Sequence, residues 1–290
     1  MFHGSYVAIV TPFKNGQVDY DSFKSLIDFQ IQNGTQGIVP CGTTGESATL
    51  TLEEHEEVVR FVIETVAKRV PVIAGSGSNN TAEALRLTQS AEKMGADGAL
   101  LISPYYNKPT QKGLYEHYKY ISENVSIPLV LYNVPGRTSS NISAATTVAL
   151  SKMKNIVGIK EASGNLVQIS EILRDANPDF LVLSGEDALT YPMLALGCQG
   201  VISVTANVAP ALVSGMVQLA LEGNLAEASK KHLELLELSN ILFLETNPIP
   251  TKESLAFMNI ITPEMRLPLV NMGEENKQKL KEVLKSYALI

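Results

Sequence analysis

Four residues stand where short apolar runs end, and together they suit amine chemistry on a carbonyl. Lys160 closes the run IVGIK (156–160), and Tyr132 lies at the end of IPLVLYN (127–133). Thr43 sits in the turn GTTGES (42–47), and Arg137 in the loop YNVPGR (132–137). Lys160 is one of seventeen lysines, nearly all the others of which fall on polar faces or in loops. By strand alternation it shares a face with Ile156 and Gly158, opposite Val157 and Ile159. If that face turns inward, the amine is enclosed by protein; the plainer alternative is a lysine that reaches solvent or pairs with Glu161. Alternation sends Glu161 to the other face.

An amine attacks a carbonyl only when neutral. A free lysine near pKa 10.4 is roughly 0.04% neutral at pH 7, so activation asks for a penalty of about 4 kcal/mol on the ammonium. Burial and a nearby cation supply effects of that order. Imine chemistry also needs a group that moves protons between nitrogen, oxygen and carbon. Tyr132 fits if its phenol joins a hydrogen-bond chain through Thr43, although a strand-end tyrosine is more often a packing residue. The turn around Thr43 is expected to offer backbone N–H groups at the start of a helix, a fit for a small carboxylate. Arg137 has a planar fork suited to a second carboxylate, or to loop carbonyls.

Eight near-continuous apolar runs are expected to be strands: 6–11, 36–41, 70–74, 97–103, 127–133, 156–160, 180–184 and 199–204. Their lack of clean alternation is the mark of parallel strands covered on both faces. Helical periodicity fills 19–33, 52–67, 81–94, 111–124, 143–152, 165–175, 187–196 and 209–221, and Gly34, Gly95, Gly197 and Gly223 follow four of these. Eight strand–helix units in order make an α/β (β/α)₈ TIM barrel over residues 1–224, with the active site at the C-terminal strand ends. The rival open sheet lacks its G-x-G-x-x-G turn after the first strand. Residues 225–290 hold helices only and form a C-terminal helical extension.

The net charge of −7 and the absence of basic runs argue against a nucleic-acid partner. Residues 188–221 carry no charge, yet Pro192, Gly197, Gly200 and Pro210 break them into helix, strand and helix, so no membrane span is expected. Cys41 and Cys198 read as buried reduced thiols, and with no signal peptide the expected location is cytoplasmic. His3, His55, His117 and His232 lie away from strand ends, and no metal-binding spacing occurs, so neither metal nor cofactor is expected. A barrel that makes or breaks carbon–carbon bonds without a metal needs another electron sink, which an imine provides.

At GTTGES, PYYN, YNVPGRT and GIKEASGN the sequence resembles the dihydrodipicolinate synthase/N-acetylneuraminate lyase family of class I aldolases, over essentially the whole chain. The resemblance implies that Lys160 forms an imine with pyruvate, and that Tyr132, Thr43 and Tyr106 relay protons, Tyr106 reaching in from a neighbouring subunit. It implies that Thr44 binds the pyruvate carboxylate, that Arg137 binds that of L-aspartate-4-semialdehyde, and that Gly185 and Ile202 make backbone contacts around them. The reaction implied is the Schiff-base condensation of these two substrates in diaminopimelate and lysine biosynthesis. A homotetramer built as a dimer of dimers is also implied. Ser47, Ala48, His55, Asn79, Glu83 and Tyr105 match the pocket in which L-lysine inhibits sensitive members, while Leu52 stands where some of those carry histidine. The alternatives are a sister aldolase acting on N-acetylneuraminate or a 2-keto-3-deoxy sugar acid, and a non-catalytic barrel that only binds a ligand. Thr43 and Arg137 favour the synthase branch over the first, and the joint presence of all five chemical residues speaks against the second.

Overall fold

The computed structural model describes residues 2–290. Eight parallel strands form one sheet: β1 Gly4–Ala8, β2 Gly37–Val39, β3 Ile73–Gly75, β4 Gly98–Ile102, β5 Leu129–Asn133, β6 Ile156–Glu161, β7 Leu181–Ser184 and β8 Gly200–Ser203. Neighbours in sequence are neighbours in space, and β1 also pairs with β8, Tyr6 opposite Ile202. A parallel bridge between Ile38 and Val72 joins β2 to β3 and closes the cylinder. All eight expected strands are present.

The barrel helices are α1 Tyr20–Gln32, α2 Leu52–Val66, α3 Thr81–Met94, α4 Gln111–Glu123, α5 Ala144–Leu150, α6 Leu166–Asp175, α7 Thr190–Ala195 and α8 Pro210–Leu221. Each of the first six begins with a capping side chain: Asp19, Thr51, Asn80, Thr110, Ser143 and Asn165 accept from backbone N–H groups of their first turns. Such caps are worth about 1 kcal/mol each, and here they pin the loops that rise from the strand ends. Gly34, Gly95, Gly197 and Gly223 all adopt positive φ, as a left-handed helix stop requires. The uncharged stretch 188–221 is a helix, a strand and a helix in a row, and no helix among the described residues is long and apolar enough to cross a membrane.

Inside the cylinder Phe2, Tyr6, Val39, Ile73, Leu100, Val130, Leu181, Leu183 and Ile202 form a packed cluster. The Tyr6 ring lies where a side chain at position 37 would project, so Gly37 is required: its Cβ would stand 1.9 Å from Tyr6 Cε1. Two larger clusters fill the space between strands and helices. One feature of β6 departs from simple alternation. Leu129 pairs with Ile156 but Val130 pairs with Gly158, so Val157 is a bulge. Ile156 therefore packs outward with Leu129 and Ile159, and Val157 turns toward the inner cluster. Lys160 does not share a face with Ile156 as alternation suggests; beyond the bulge Gly158 and Lys160 share the inner face.

Residues beyond the barrel form α9 Leu225–Ile241, α10 Ile249–Phe257 and α11 Glu274–Ser286. Leu235, Leu238, Leu255 and Leu280 from these helices join the cluster that contains Val213, Met216 and Val217 of α8. Lys252 of α10 is fully buried, an exception that no sequence signal marks. It forms an ion pair with buried Glu46, donates to the Glu264 carbonyl at 2.8 Å, and lies 4.2 Å over the Phe13 ring. Phe13 belongs to a small hairpin, Phe13–Lys14 with Gln17–Val18, that was not foreseen. Glu46 has φ of 53° and also accepts from the Arg266 N–H, so α10 and the segment after it clamp the GTTGES turn. Removing one partner strands a buried charge. Glu46→Gln is therefore expected to lose about 3–5 kcal/mol of unfolding free energy by urea titration, with Glu46→Gln/Lys252→Met recovering much of it.

Candidate active site

Lys160 and Tyr132 occupy paired positions on adjacent strands and both point inward. Lys160 is only 5% exposed, with its Nζ 4.3 Å from the centroid of the Tyr132 ring. Gly185, at the end of β7, makes this possible: a Cβ there would lie 2.9 Å from Lys160 Cε and 3.0 Å from Cγ. Glu161 faces the other way, where Asn133 donates to it at 2.7 Å and Ser163 holds both its oxygens. The plainer readings of Lys160, solvent or a Glu161 pair, are excluded by this geometry.

Burial pulls the Lys160 amine down to about 8; Arg137 adds to that pull, and Asp187 and Glu186 oppose it. Relative to an ordinary 10.5 this is about 3 kcal/mol against the ammonium, leaving about one amine in ten neutral at pH 7. The Tyr132 phenol is pushed up to about 12 by burial, against the pull of Arg137 and of the nearby Thr43 side chain. It stays protonated near neutrality.

These groups line an enclosed cavity of about 70 Å³ with Thr43, Thr44, Ala162, Glu186, Phe243 and Asn247. That is room for roughly five water-sized bodies, the scale of a small keto acid. The GTTGES turn does not sit at a helix start as expected. A 3-10 turn at Ser47–Thr49 intervenes, and α2 is capped by Thr51. Within the turn Gly45, Glu46 and Ser47 spend their N–H groups on Gly42 and Thr43 carbonyls, while those of Thr43 and Thr44 find no acceptor among the described residues. Two free N–H groups beside the Thr44 hydroxyl offer a carboxylate three donors.

The Thr44 hydroxyl is itself oriented by Asn247, whose side-chain N–H donates to it at 2.9 Å. Arg137, on the one-turn helix Pro135–Thr138, makes one long contact of 3.5 Å to the Asn247 carbonyl and lies at the cavity rim. Ile202 is buried in the inner cluster below, and its side chain is not in the cavity wall. Tyr106 does not reach this cavity at all. It is 89% exposed, with φ of 70°, on the loop after β4.

Sequence reasoning missed Asn247, Phe243, Glu186 and Asp187 as wall or near-wall residues. Asn247 and Phe243 carry no local signal, whereas Glu186 and Asp187 follow directly on the end of β7, a position that could have pointed to them. Asp187 is buried and accepts from the Val204 and Thr205 N–H groups at 2.8 and 3.2 Å. A second cavity of about 400 Å³ adjoins the first and is lined by Ser47, Ala48, Leu52, His55, Glu83 and Tyr105 among others. Asn79 lies beside it, donating to the Tyr105 carbonyl at 3.2 Å.

A sequence model described as the dihydrodipicolinate synthetase family matches residues 1–287. The chain belongs to that family. A 4-hydroxy-tetrahydrodipicolinate synthase of Syntrophotalea carbinolica is 57% identical over 100% of this chain and 99% of its own length. The solved dihydrodipicolinate synthase of Aquifex aeolicus superposes with a TM-score of 0.98 at 51% identity, covering 99% of both chains. The chloride-inhibited dihydrodipicolinate synthase of Acinetobacter baumannii, solved with pyruvate, gives 0.98 at 45% identity over 100% of both chains. That of Cyanidioschyzon merolae, solved with lysine bound, gives 0.97 at 41% identity, covering 100% of this chain and 99% of its own. As a member of this synthetase family the chain is an enzyme, and its eight-stranded barrel is the TIM barrel expected from the sequence.

The Lys160 amine gives the site a pH signature. Between about 8 and 10.5 the unfolded chain binds a proton that the folded chain has released, so stability rises with pH across that window. Below it the penalty is fully present. Lys160→Met is therefore expected to be more stable than the parent at pH 7 by up to about 3 kcal/mol, with the gap closing by pH 10.5. Chemical denaturation at the two pH values checks this.

Proposed function

We propose that the chain catalyses the 4-hydroxy-tetrahydrodipicolinate synthase reaction, the condensation of pyruvate with L-aspartate-4-semialdehyde through an imine on Lys160. The observation that carries this reading is the buried, partly neutral amine of Lys160 packed on the Tyr132 phenol inside a cavity of keto-acid size. Thr43 and Thr44 receive the pyruvate carboxylate through their N–H groups and the Thr44 hydroxyl. Lys160 then adds to the ketone, Tyr132 passes a proton to the departing oxygen as water leaves, and loss of a methyl proton gives the enamine. The enamine carbon attacks the aldehyde of the second substrate, whose carboxylate Arg137 holds at the rim. The substrate's own amine closes the ring and frees Lys160. Relatives more than half identical over their full length bear the name of this reaction, which favours it over the sister aldolases.

Tyr106 completes the proton relay of a neighbouring subunit, within a homotetramer made of paired dimers. Its near-complete exposure at a left-handed position supports this, because nothing in its own barrel accounts for a tyrosine held outward. The adjoining cavity is the site at which L-lysine inhibits. Glu83 offers it an anion for an ammonium, and the volume suits an amino acid. The enzyme works in the cytoplasm.

Incubation with pyruvate and borohydride is expected to add one reduced pyruvate to the peptide bearing Lys160, and none in Lys160→Ala, with turnover lost in that variant. Absence of the adduct in the parent chain would overturn the reading. Calorimetry with L-lysine is expected to show binding at or below millimolar concentration, weakened at least tenfold in Glu83→Ala.

A further inference from the structure

Among the described residues, the carboxylates around the cavity have protein partners, with one exception. Glu161 is held by Asn133 and Ser163, Asp187 by the N–H groups at the end of β8, and Glu46 by Lys252. Glu186 lies in the cavity wall, half-buried. Its backbone is engaged: the N–H donates to Ser184 Oγ at 3.2 Å, and the carbonyl accepts from Thr190 Oγ1 at 3.1 Å. Its carboxylate, among the described residues, accepts no hydrogen bond and forms no ion pair. An anion left unpaired beside low-dielectric walls is costly unless something arrives to pair with it.

The second substrate of the proposed reaction carries a charge still without a partner. L-Aspartate-4-semialdehyde has a carboxylate, assigned to Arg137, an aldehyde, which must meet the carbon on Lys160, and an ammonium. Glu186 lines the same cavity wall as Lys160 and Arg137, which places it near the two points that fix the other ends of this molecule. We infer that the Glu186 carboxylate binds the ammonium of the amino-aldehyde substrate and takes its proton, so that the nitrogen can close the ring. This inference rests on the proposed reaction and adds to it the group that reads the amine.

The proton balance is simple. The ammonium gives one proton to a Glu186 oxygen and becomes an amine. Its lone pair forms a bond to the imine carbon, both remaining protons of that nitrogen move in turn to Lys160 Nζ, and the bond from carbon to Nζ breaks as the ring nitrogen takes up the double bond. Lys160 leaves as the neutral amine, the new ring nitrogen keeps its double bond to carbon, and Glu186 returns its proton to solvent. Burial first, and then Asp187, raise the Glu186 carboxyl above its ordinary value, which makes it a better base than an exposed carboxylate.

The test compares two aldehydes, the natural one and succinate semialdehyde, which is the same molecule without its amino group. In Glu186→Gln the pyruvate adduct on Lys160 is expected still to form under borohydride, with kcat/KM for pyruvate changed less than threefold. The value of kcat/KM for L-aspartate-4-semialdehyde is expected to fall about ten- to hundred-fold, the effect of losing a charged hydrogen bond. Single-turnover addition of succinate semialdehyde to the pyruvate-loaded enzyme, one equivalent per Lys160 because it has no amine to free the lysine, is expected to change in rate less than threefold. Equal losses with both aldehydes, or no loss with either, would overturn the role of Glu186 while leaving the Lys160 reading intact. Loss of the pyruvate adduct in Glu186→Gln would also overturn it, assigning Glu186 to the lysine instead. A parent chain that forms no adduct refutes the proposed reaction and this inference together.

Discussion

An amine kept out of water at the mouth of a closed cylinder sets the terms for the residues around it. The ammonium form of Lys160 has lost its hydration, and only the Tyr132 ring face and the more distant Asp187 and Glu186 offset that loss. The balance leaves the amine poised instead of fully charged. Such an arrangement tolerates no nearby counter-ion at contact distance. Glu161, the next residue, is turned away and satisfied by Asn133, and Asp187 is tied to the backbone at the end of β8. Gly185 then keeps the space the lysine stem occupies.

The loop that faces the amine is held from far along the chain. Thr43 and Thr44 belong to a turn whose backbone follows an uncommon path, with positive φ at Cys41 and Glu46. Turns of this kind persist only when surrounding structure over-determines them. Here the surroundings are the C-terminal extension: Lys252 pairs with Glu46, Asn247 orients Thr44, and Phe243 walls the cavity. The extension shares a hydrophobic cluster with α8, so the roof of the site and the stability of the barrel are linked. A TIM barrel places chemistry on flexible loops above a rigid frame, and a buried ion pair is one way to stiffen such a loop.

Charge is distributed to match. The chain is acidic overall, yet the rim carries Arg137 and the floor Lys160, so an anionic keto acid meets two cations in an otherwise negative molecule. Glu186 lies in the same cavity wall, where its carboxylate has no partner among the described residues. Stability and chemistry pull against each other here, since each unpaired or desolvated group weakens the fold and suits a ligand.

Much of this was legible in the sequence because strands and helices write their periods locally. The eight apolar runs, the helical periodicity between them and the four stop glycines marked the barrel, and a lysine ending an apolar run marked the candidate chemistry. Alternation set Lys160 and Glu161 on opposite faces but left open which face turns inward, and for β6 it failed at Ile156, because the bulge at Val157 arises only when two strands of unequal spacing pair. Lys252 reads in sequence as one more helix lysine, and Asn247 as a loop residue. Their roles come from contacts across more than two hundred residues, such as the 203 that separate Asn247 from Thr44. Residue type and short spacing determined the elements and singled out the amine of Lys160. Which carboxylates are satisfied, which one is left open, and what covers the cavity depend on through-space packing, which no local pattern encodes.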